Sequence, residues 1–375
     1  MRLPQPLLES PYFAFGSLDE LASALGDDAR ARDLYEIQRL VDLGLPPIAS
    51  IETLATIFGI NSGIIWSFMN RPNKHYRIYT VPKGKSVRAI ASPRVGLKII
   101  QTWIAFHLSR SIKFADHVYG FIPGRSHIDA AFVHRDASWG YSVDIADFFG
   151  TTPQHLVANS LRSVGYNPVS ASIVSRLSCL NMNLAQGSPI SPVLSNLAFI
   201  DNDQHLIKIA ERYNAKLTRY ADDIVFSGSG EMPQSIRDDV RSLFATGPWR
   251  LSMHKERIEP LKGRIKVHGL IVNDPNVRLT KGYRNKLRAY RYMIETGKVV
   301  DNYDSLVGHL RYAEHVNDRL HNLNMNPDAF QSKGPRKIEP LTGFVEPDLP
   351  KLSIVEKISE KPLMFRMLER IRNAF

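Results

Sequence analysis

Apolar positions along this chain switch repeatedly between a helical period and a strand period. Residues 1–75 are mostly helical in spacing and close on the turn-rich Asn70-Arg71-Pro72-Asn73. Two short alternating runs follow, Tyr76-Arg-Ile-Tyr-Thr-Val and Ser86-Val-Arg-Ala-Ile-Ala, with Pro82-Lys83-Gly84-Lys85 between them, which predicts a hairpin. After Ser92-Pro93, the recurrence of Leu97, Ile100, Ile104 and Leu108 predicts a helix. Tyr141, Val143 and Ile145 alternate with Ser142, Asp144 and Ala146, which predicts a strand, and Ile190 to Ile209 has helical spacing after Gly187-Ser188-Pro189. Residues 217–227 read as two short strands around Ala221-Asp222-Asp223, and Ile265, Val267, Gly269 and Ile271 as one more. Thr280 to about Thr296 reads as a helix, 325–350 as Pro-rich loop, and Ser353–Ala374 as a final helix. Helices and strands mix without regular βαβ alternation, so the expected class is α+β with an antiparallel sheet.

Composition narrows the function classes. A length of 375 residues suggests two or three domains or subdomains, and 43% apolar with 23% charged residues excludes a long disordered chain. No apolar run approaches the roughly 18 residues of a membrane span, so no membrane partner is expected. Met1-Arg2-Leu3-Pro4-Gln5-Pro6 lacks the apolar stretch of a secretory signal. Cys179 is the sole cysteine, which rules out an intrachain disulfide and a multi-cysteine zinc site and makes a reducing, cytoplasmic setting the expectation. Neither a Gly-rich phosphate loop nor a His-Glu-x-x-His zinc motif occurs.

Charge adds a direction. Lys and Arg total 48 against 37 Asp and Glu, a net charge of +11, which favours a polyanionic partner such as nucleic acid. The excess concentrates between Arg278 and Lys298, where Lys281, Arg284, Lys286, Arg288 and Arg291 interleave with Tyr283, Tyr290 and Tyr292 and Glu295 is the only acid. Basic side chains at helical spacing with aromatic neighbours suit a duplex backbone and base stacking.

Two adjacent acids inside an apolar hairpin are locally unfavourable, because like charges repel and Asn-Gly is the usual turn pair. Asp222 and Asp223 sit there all the same, flanked by Leu217-Thr-Arg-Tyr220 and Ile224-Val-Phe226. A hard divalent cation would resolve the conflict. Asp144 ends a similar strand, and side-by-side strands would bring the three carboxylates together. They could then hold two Mg²⁺ ions about 3.5–4 Å apart, the geometry of in-line phosphoryl transfer.

The set of motifs resembles the reverse transcriptases. Tyr220-Ala221-Asp222-Asp223 resembles their Tyr-x-Asp-Asp box, and Ser142-Val-Asp144-Ile-Ala-Asp147-Phe148-Phe149 their first catalytic-Asp motif. Ala185-Gln186-Gly187-Ser188-Pro189-Ile190-Ser191-Pro192 resembles the Gln-Gly-x-Pro-x-Ser-Pro motif of the bacterial retron branch. The three stand in the family's order, and with weaker motifs the resemblance covers about residues 76–275.

The resemblance implies a right-hand polymerase, with a helical N-terminal region over 1–75, fingers and palm over 76–275, and a thumb with an RNA- or partner-binding region over 276–375. It implies metal ligation by Asp144, Asp222 and Asp223, and protonation of the leaving pyrophosphate by Lys255. Nucleotide contacts fall on Lys83 (with Lys85 competing for that role), Arg88, Asp147, Gln186 and Phe149, the aromatic that closes against the ribose 2′ position. Gly120-Phe-Ile-Pro-Gly124-Arg125-Ser126 resembles a loop common to bacterial reverse transcriptases. Ala130-Ala-Phe-Val-His134 resembles a retron Asn-Ala-x-x-His motif, with Ala130 in place of Asn. Lys266-Val-His268-Gly269-Leu270 takes the place of the primer-gripping segment, with His268 where Val-Thr-Gly is usual. Arg125, His134, His268, Gly269, Arg284, Arg288 and Arg291 are thus the expected nucleic-acid contacts. The implied activity is copying of a structured non-coding RNA into DNA from deoxynucleoside triphosphates, primed from an internal guanosine 2′-hydroxyl, in anti-phage defence with an effector protein. Two rival readings remain: an intron-type or abortive-infection reverse transcriptase, or a scaffold that holds RNA–DNA and restrains an effector.

Overall fold

The computed structural model describes residues 3–84, 86–260, 263–298 and 303–325. Its strands are β1 Tyr76–Lys83, β2 Ser86–Pro93, β3 Trp139–Asp144, β4 Cys179–Leu180, β5 Asn183–Leu184, β6 Lys216–Tyr220, β7 Asp223–Gly228, β8 Arg257–Pro260, β9 Lys266–Val267, β10 Leu270–Ile271 and β11 Arg278–Leu279. The chain divides into two compact units, Met1–Lys113 with Phe149–Ala198, and Phe114–Phe148 with the described residues from Phe199 onward.

The first unit is mostly helical. Its N-terminal helices start where polar side chains accept free backbone N–H groups: Ser17 from Glu20, Ser50 from Thr53, Asn61 from Gly63. Around the helix Val95–Ser111, the indole of Trp103 is fully buried, edge-on to Phe58 at 5.4 Å, and donates to the Ser10 carbonyl at 2.9 Å. Truncating a side chain of this size costs about 3–5 kcal/mol. The antiparallel pair β1–β2 runs in unbroken register from Tyr76↔Pro93 to Lys83↔Ser86. Ser92-Pro93 therefore belongs to β2, and the helix begins just beyond it.

The second unit is built on an antiparallel sheet of order β6-β7-β3-β8. Val143, Ile224, Val225 and Phe226 are buried, and the helices His127–Val133 and Ile200–Arg212 pack on β6. The helix His127–Val133 opens with a capping box in which Ser126 and Asp129 satisfy each other's backbone N–H. One apolar cluster joins Ile128 and Phe132 to Val267, Leu270 and Leu279, and onward to Leu287 on the helix Lys281–Glu295 and Val316 and Leu320 on the helix Tyr303–Met325. Two polar ties add to it: Arg319 Nε donates to Asp129 Oδ1 at 2.7 Å, and His127 Nε2 meets Tyr312 Oη at 2.8 Å.

Two expected elements differ. The helix read over 190–209 is two helices, Ser191–Ala198 and Ile200–Arg212, broken at Phe199. The Phe199 ring is buried against Phe148 and Trp249, so it continues the apolar spacing while the backbone does not continue the helix. The strand read over 265–271 is the tight hairpin β9–β10, turning at His268-Gly269 with positive φ at both residues. The loop and helix expected beyond 325 lie outside the described residues.

Candidate active site

The three aspartates meet at one end of the sheet. Asp144, last in β3, is the register partner of Asp223, first in β7, and Tyr220 pairs with Asp223 across β6–β7. Asp222 lies in the turn, where its carbonyl accepts from Ile145 N at 2.9 Å. Residues 250–252 run along the end of β3: Ala146 N donates to Arg250 O at 2.8 Å and Ser252 N to Asp144 O at 2.7 Å. A 3₁₀ turn over Met253–Lys255 then delivers the Lys255 ammonium to Asp144 Oδ1 at 2.5 Å. On the other side, His268 Nδ1 lies 3.2 Å from Asp223 Oδ2.

Burial raises the Asp222 carboxyl above the ordinary carboxylate range, and the charges of Asp144 and Asp223 push the same way, against Lys255. A divalent cation would relieve this repulsion. The donors suit one, since all three are hard carboxylate oxygens on one sheet end. Lys255 and His268 each stand at one of these carboxylates. Among the described residues, no three His, Cys, Asp or Glu side chains are gathered into a metal cage. The fit therefore lies in donor chemistry and placement.

The turn is held from beneath by residues that motif reading did not mark. Arg219, fully buried, donates through Nε and Nη2 to both oxygens of Asp203 at 2.8 and 2.6 Å, and through Nη1 to the Ala221 carbonyl at 3.0 Å. Burial alone would raise the Asp203 carboxyl, but Arg219 and His117 hold it below the usual range. Residues 117–119 zip onto β6 through Arg219 N to His117 O and Tyr119 N to Arg219 O. An alternating strand rarely buries an arginine unpaired, so Arg219 inside an apolar hairpin was the available signal.

In the first unit, Ala91 N on β2 donates to Gln186 O at 2.7 Å, and a Cβ at Gly187 would lie 2.7 Å from Ile90 Cγ2. Gly187 is thus demanded by the approach of β2. Ser188 Oγ donates to Gln101 Oε1 at 2.7 Å, and Gln101 Nε2 donates to Tyr76 Oη and Leu177 O, a buried network fixing this loop. Arg88 is half-buried on β2 opposite Val81, and Gln186 is half-buried. Lys83 ends β1, and Lys85 lies outside the described residues. Asp147 is exposed with positive φ, and Phe149 is half-buried beside the fully enclosed Phe148.

Of the expected nucleic-acid contacts, Arg284, Arg288 and Arg291 are exposed on the helix Lys281–Glu295, whose Leu287 is buried. Arg125 turns back on its own loop, donating through Nη1 to the carbonyls of Ala115 and Val118, both at 2.6 Å. His134 is corrected to a core residue. It is fully buried, its ring nitrogens meet Ser227 Oγ and Thr218 Oγ1, each at 2.7 Å, and desolvation pushes it down to about 3. No surface is left for RNA. The side chain of His268 is mostly enclosed and faces Asp223, with Gly269 beside it in the turn.

Residues 81–281, just over half of the chain, match the family described as reverse transcriptase (RNA-dependent DNA polymerase). The chain belongs to that family: it is an RNA-directed DNA polymerase with an α+β right-hand polymerase fold. Its type is that of the retrons. It is 28% identical to the retron Ec86 reverse transcriptase of Escherichia coli over 264 residues, covering 69% of this chain and 82% of that protein. To the retron Mx162 reverse transcriptase of Myxococcus xanthus it is 28% identical over 294 residues, covering 68% of this chain and 61% of that protein. Among solved structures, telomerase from Candida albicans in complex with a fragment of telomeric RNA aligns at a TM-score of 0.42 and 11% identity, covering 72% of this chain and 60% of that one. Enzymes of the reverse transcriptase family use divalent metal ions, generally Mg²⁺.

Proposed function

We propose that this enzyme copies part of a structured partner RNA into single-stranded DNA, starting from an internal guanosine 2′-hydroxyl, to give a branched RNA–DNA product that acts with an effector protein in anti-phage defence. The observation that carries the catalytic part is the register pairing of Asp144 with Asp223, with Asp222 in the adjoining turn. The retron relatives and the Gln186-Gly187-Ser188-Pro189 loop support the rest.

Asp144, Asp222 and Asp223 would hold two Mg²⁺ ions, whose chemistry is to lower the pKa of the attacking hydroxyl and neutralise the leaving pyrophosphate. Lys255, an ammonium within reach of Asp144, hands a proton to that pyrophosphate. Lys83 and Arg88 bind the triphosphate, Arg with its planar fork and Lys as a point charge. Gln186 and Asp147 line the nucleotide position, and Phe149 closes against the sugar. Arg284, Arg288 and Arg291 grip the template–product backbone. The division into an N-terminal region (1–75), fingers and palm (76–275) and thumb region (276–375) belongs to the same proposal.

The test is purification from the native locus, wild type beside Asp222→Asn, with sequencing of the nucleic acid that accompanies each. A discrete single-stranded DNA joined to one RNA, in the wild type alone, is expected. Unimpaired synthesis by Asp222→Asn overturns the metal-site assignment. Heterogeneous unbranched DNA in the wild type overturns the priming assignment.

A further inference from the structure

We infer that His268 is a positioning residue for the catalytic machinery, fixing the orientation of the Asp223 carboxylate through Nδ1 and thereby setting the affinity of the site for its divalent cation. The inference rests on Asp223 being a metal ligand, as proposed above.

The backbone gives the first reason. His268 and Gly269 form the two-residue turn of β9–β10, with φ of 48° and 85°. Positive φ at both central residues is the type I′ requirement, for which Asn-Gly is the favoured pair. Histidine tolerates the left-handed region better than most residues, but at a cost. The second reason is burial. A turn residue ordinarily points to water, yet this side chain is only 8% exposed and its ring lies 5.3 Å from that of Tyr220.

The third reason is the polar accounting of the ring. Nδ1 stands 3.2 Å from Asp223 Oδ2, while Nε2 is buried without a partner among the described residues. In the tautomer that carries its proton on Nδ1, toward the carboxylate, Nε2 is a bare acceptor. A buried polar nitrogen left without a partner is destabilising. A ring placed for packing alone would be better replaced by an apolar one; this ring keeps a buried, unpartnered Nε2 while its Nδ1 stands 3.2 Å from Asp223 Oδ2. Asp223 itself is 39% exposed, so without the contact its carboxylate is free to choose among rotamers.

The two ring nitrogens can be separated by substitution. The amide nitrogen of Asn occupies the position of Nδ1, and that of Gln the position of Nε2. His268→Asn also creates Asn-Gly, the best pair for this turn, so it keeps both the hairpin and the contact. The experiment measures Mn²⁺ binding to the full chain by electron paramagnetic resonance, alongside the thermal midpoint of the metal-free protein and the Mg²⁺ dependence of DNA synthesis. Partners that orient metal ligands are typically worth 10–100-fold in affinity. His268→Ala and His268→Gln are expected to weaken Mn²⁺ binding at least tenfold, with His268→Asn within threefold of wild type. Binding by His268→Ala equal to wild type overturns the inference, as does a loss shared by all three variants with a lowered thermal midpoint. Asp223→Asn is the control on the underlying reading. If it binds Mn²⁺ as wild type does, Asp223 is not a ligand; if it loses binding while His268→Ala keeps it, only the His268 assignment fails.

Discussion

Gly120 lies so close to Ala221 that a Cβ at Gly120 would sit 2.3 Å from the Ala221 nitrogen. Ala221 is itself in the left-handed region, at φ 58°, because the chain must turn there between β6 and the aspartate that opens β7. The close approach of residue 120 and the strained residue 221 together define where Asp222 is presented.

Gly120→Ala should therefore damage the turn. The clash is with backbone, which cannot swing aside, and overpacking of this kind costs typically 1–3 kcal/mol. DNA synthesis is expected to fall at least tenfold, with a lowered thermal midpoint. Gly308→Ala serves as the contrast. Gly308 is exposed within the helix Tyr303–Met325 and a Cβ there meets nothing within 4 Å, so that variant should gain up to ~1 kcal/mol and keep activity.

Arg219→Met should leave Asp203 a buried charge with only the His117 ring beside it. Breaking a buried pair by removing one partner costs about 3–5 kcal/mol. Denaturant unfolding is the measurement, and Arg219→Lys should recover little, because an ammonium cannot span both Asp203 oxygens and the Ala221 carbonyl together.

His134 sets an acid limit on stability. Its folded-state value, about 3, lies below the ordinary histidine value near 6.5. The unfolded chain therefore binds the proton more readily. The stability contribution is complete above pH 6.5 and is lost as the pH falls from there towards 3. At pH 5 the loss amounts to about 2 kcal/mol. Chemical denaturation of wild type and His134→Gln between pH 7 and 5 should show this share of the slope in the wild type only.

Alanine at Arg284, Arg288 or Arg291 should weaken RNA–DNA binding without changing the thermal midpoint, since all three side chains are exposed. For each phosphate left without its arginine, the slope of log affinity against log salt should shrink by about 0.7–0.9. An unchanged slope would place the arginines outside the interface.

How far the sequence revealed this architecture depended on whether the information was local. The hairpin around Asp222 and Asp223 was legible because apolar alternation brackets it, and the basic helix because its charges recur on a period. That the strand of Asp144 lies beside the Asp222-Asp223 hairpin was expected from the acids; its antiparallel pairing with β7 comes from the structure. The break at Phe199 was hidden because its ring keeps the apolar spacing of the helix. His134 was misread because a motif position says nothing of solvent access; its partners, Thr218 and Ser227, come from two strands far along the chain. Gly120 acquires its role only through its approach to Ala221, and Arg219 through Asp203 and the Ala221 carbonyl together. The two-residue turn at His268 escaped because Gly269 fits a strand's alternation as well as it fits a turn.

The pairing of Asp144 with Asp223 has a genetic consequence. Side chains alternate faces along a strand, so adding or deleting a single codon within β3 or β7 would turn one aspartate away from the other while leaving composition and charge nearly untouched. Such in-frame indels should leave protein abundance unchanged in the loop 229–234, beyond the end of β7, and be null for DNA synthesis within the strands. The reading frame of this sheet is thus counted twice, once by the ribosome and once by the carboxylates.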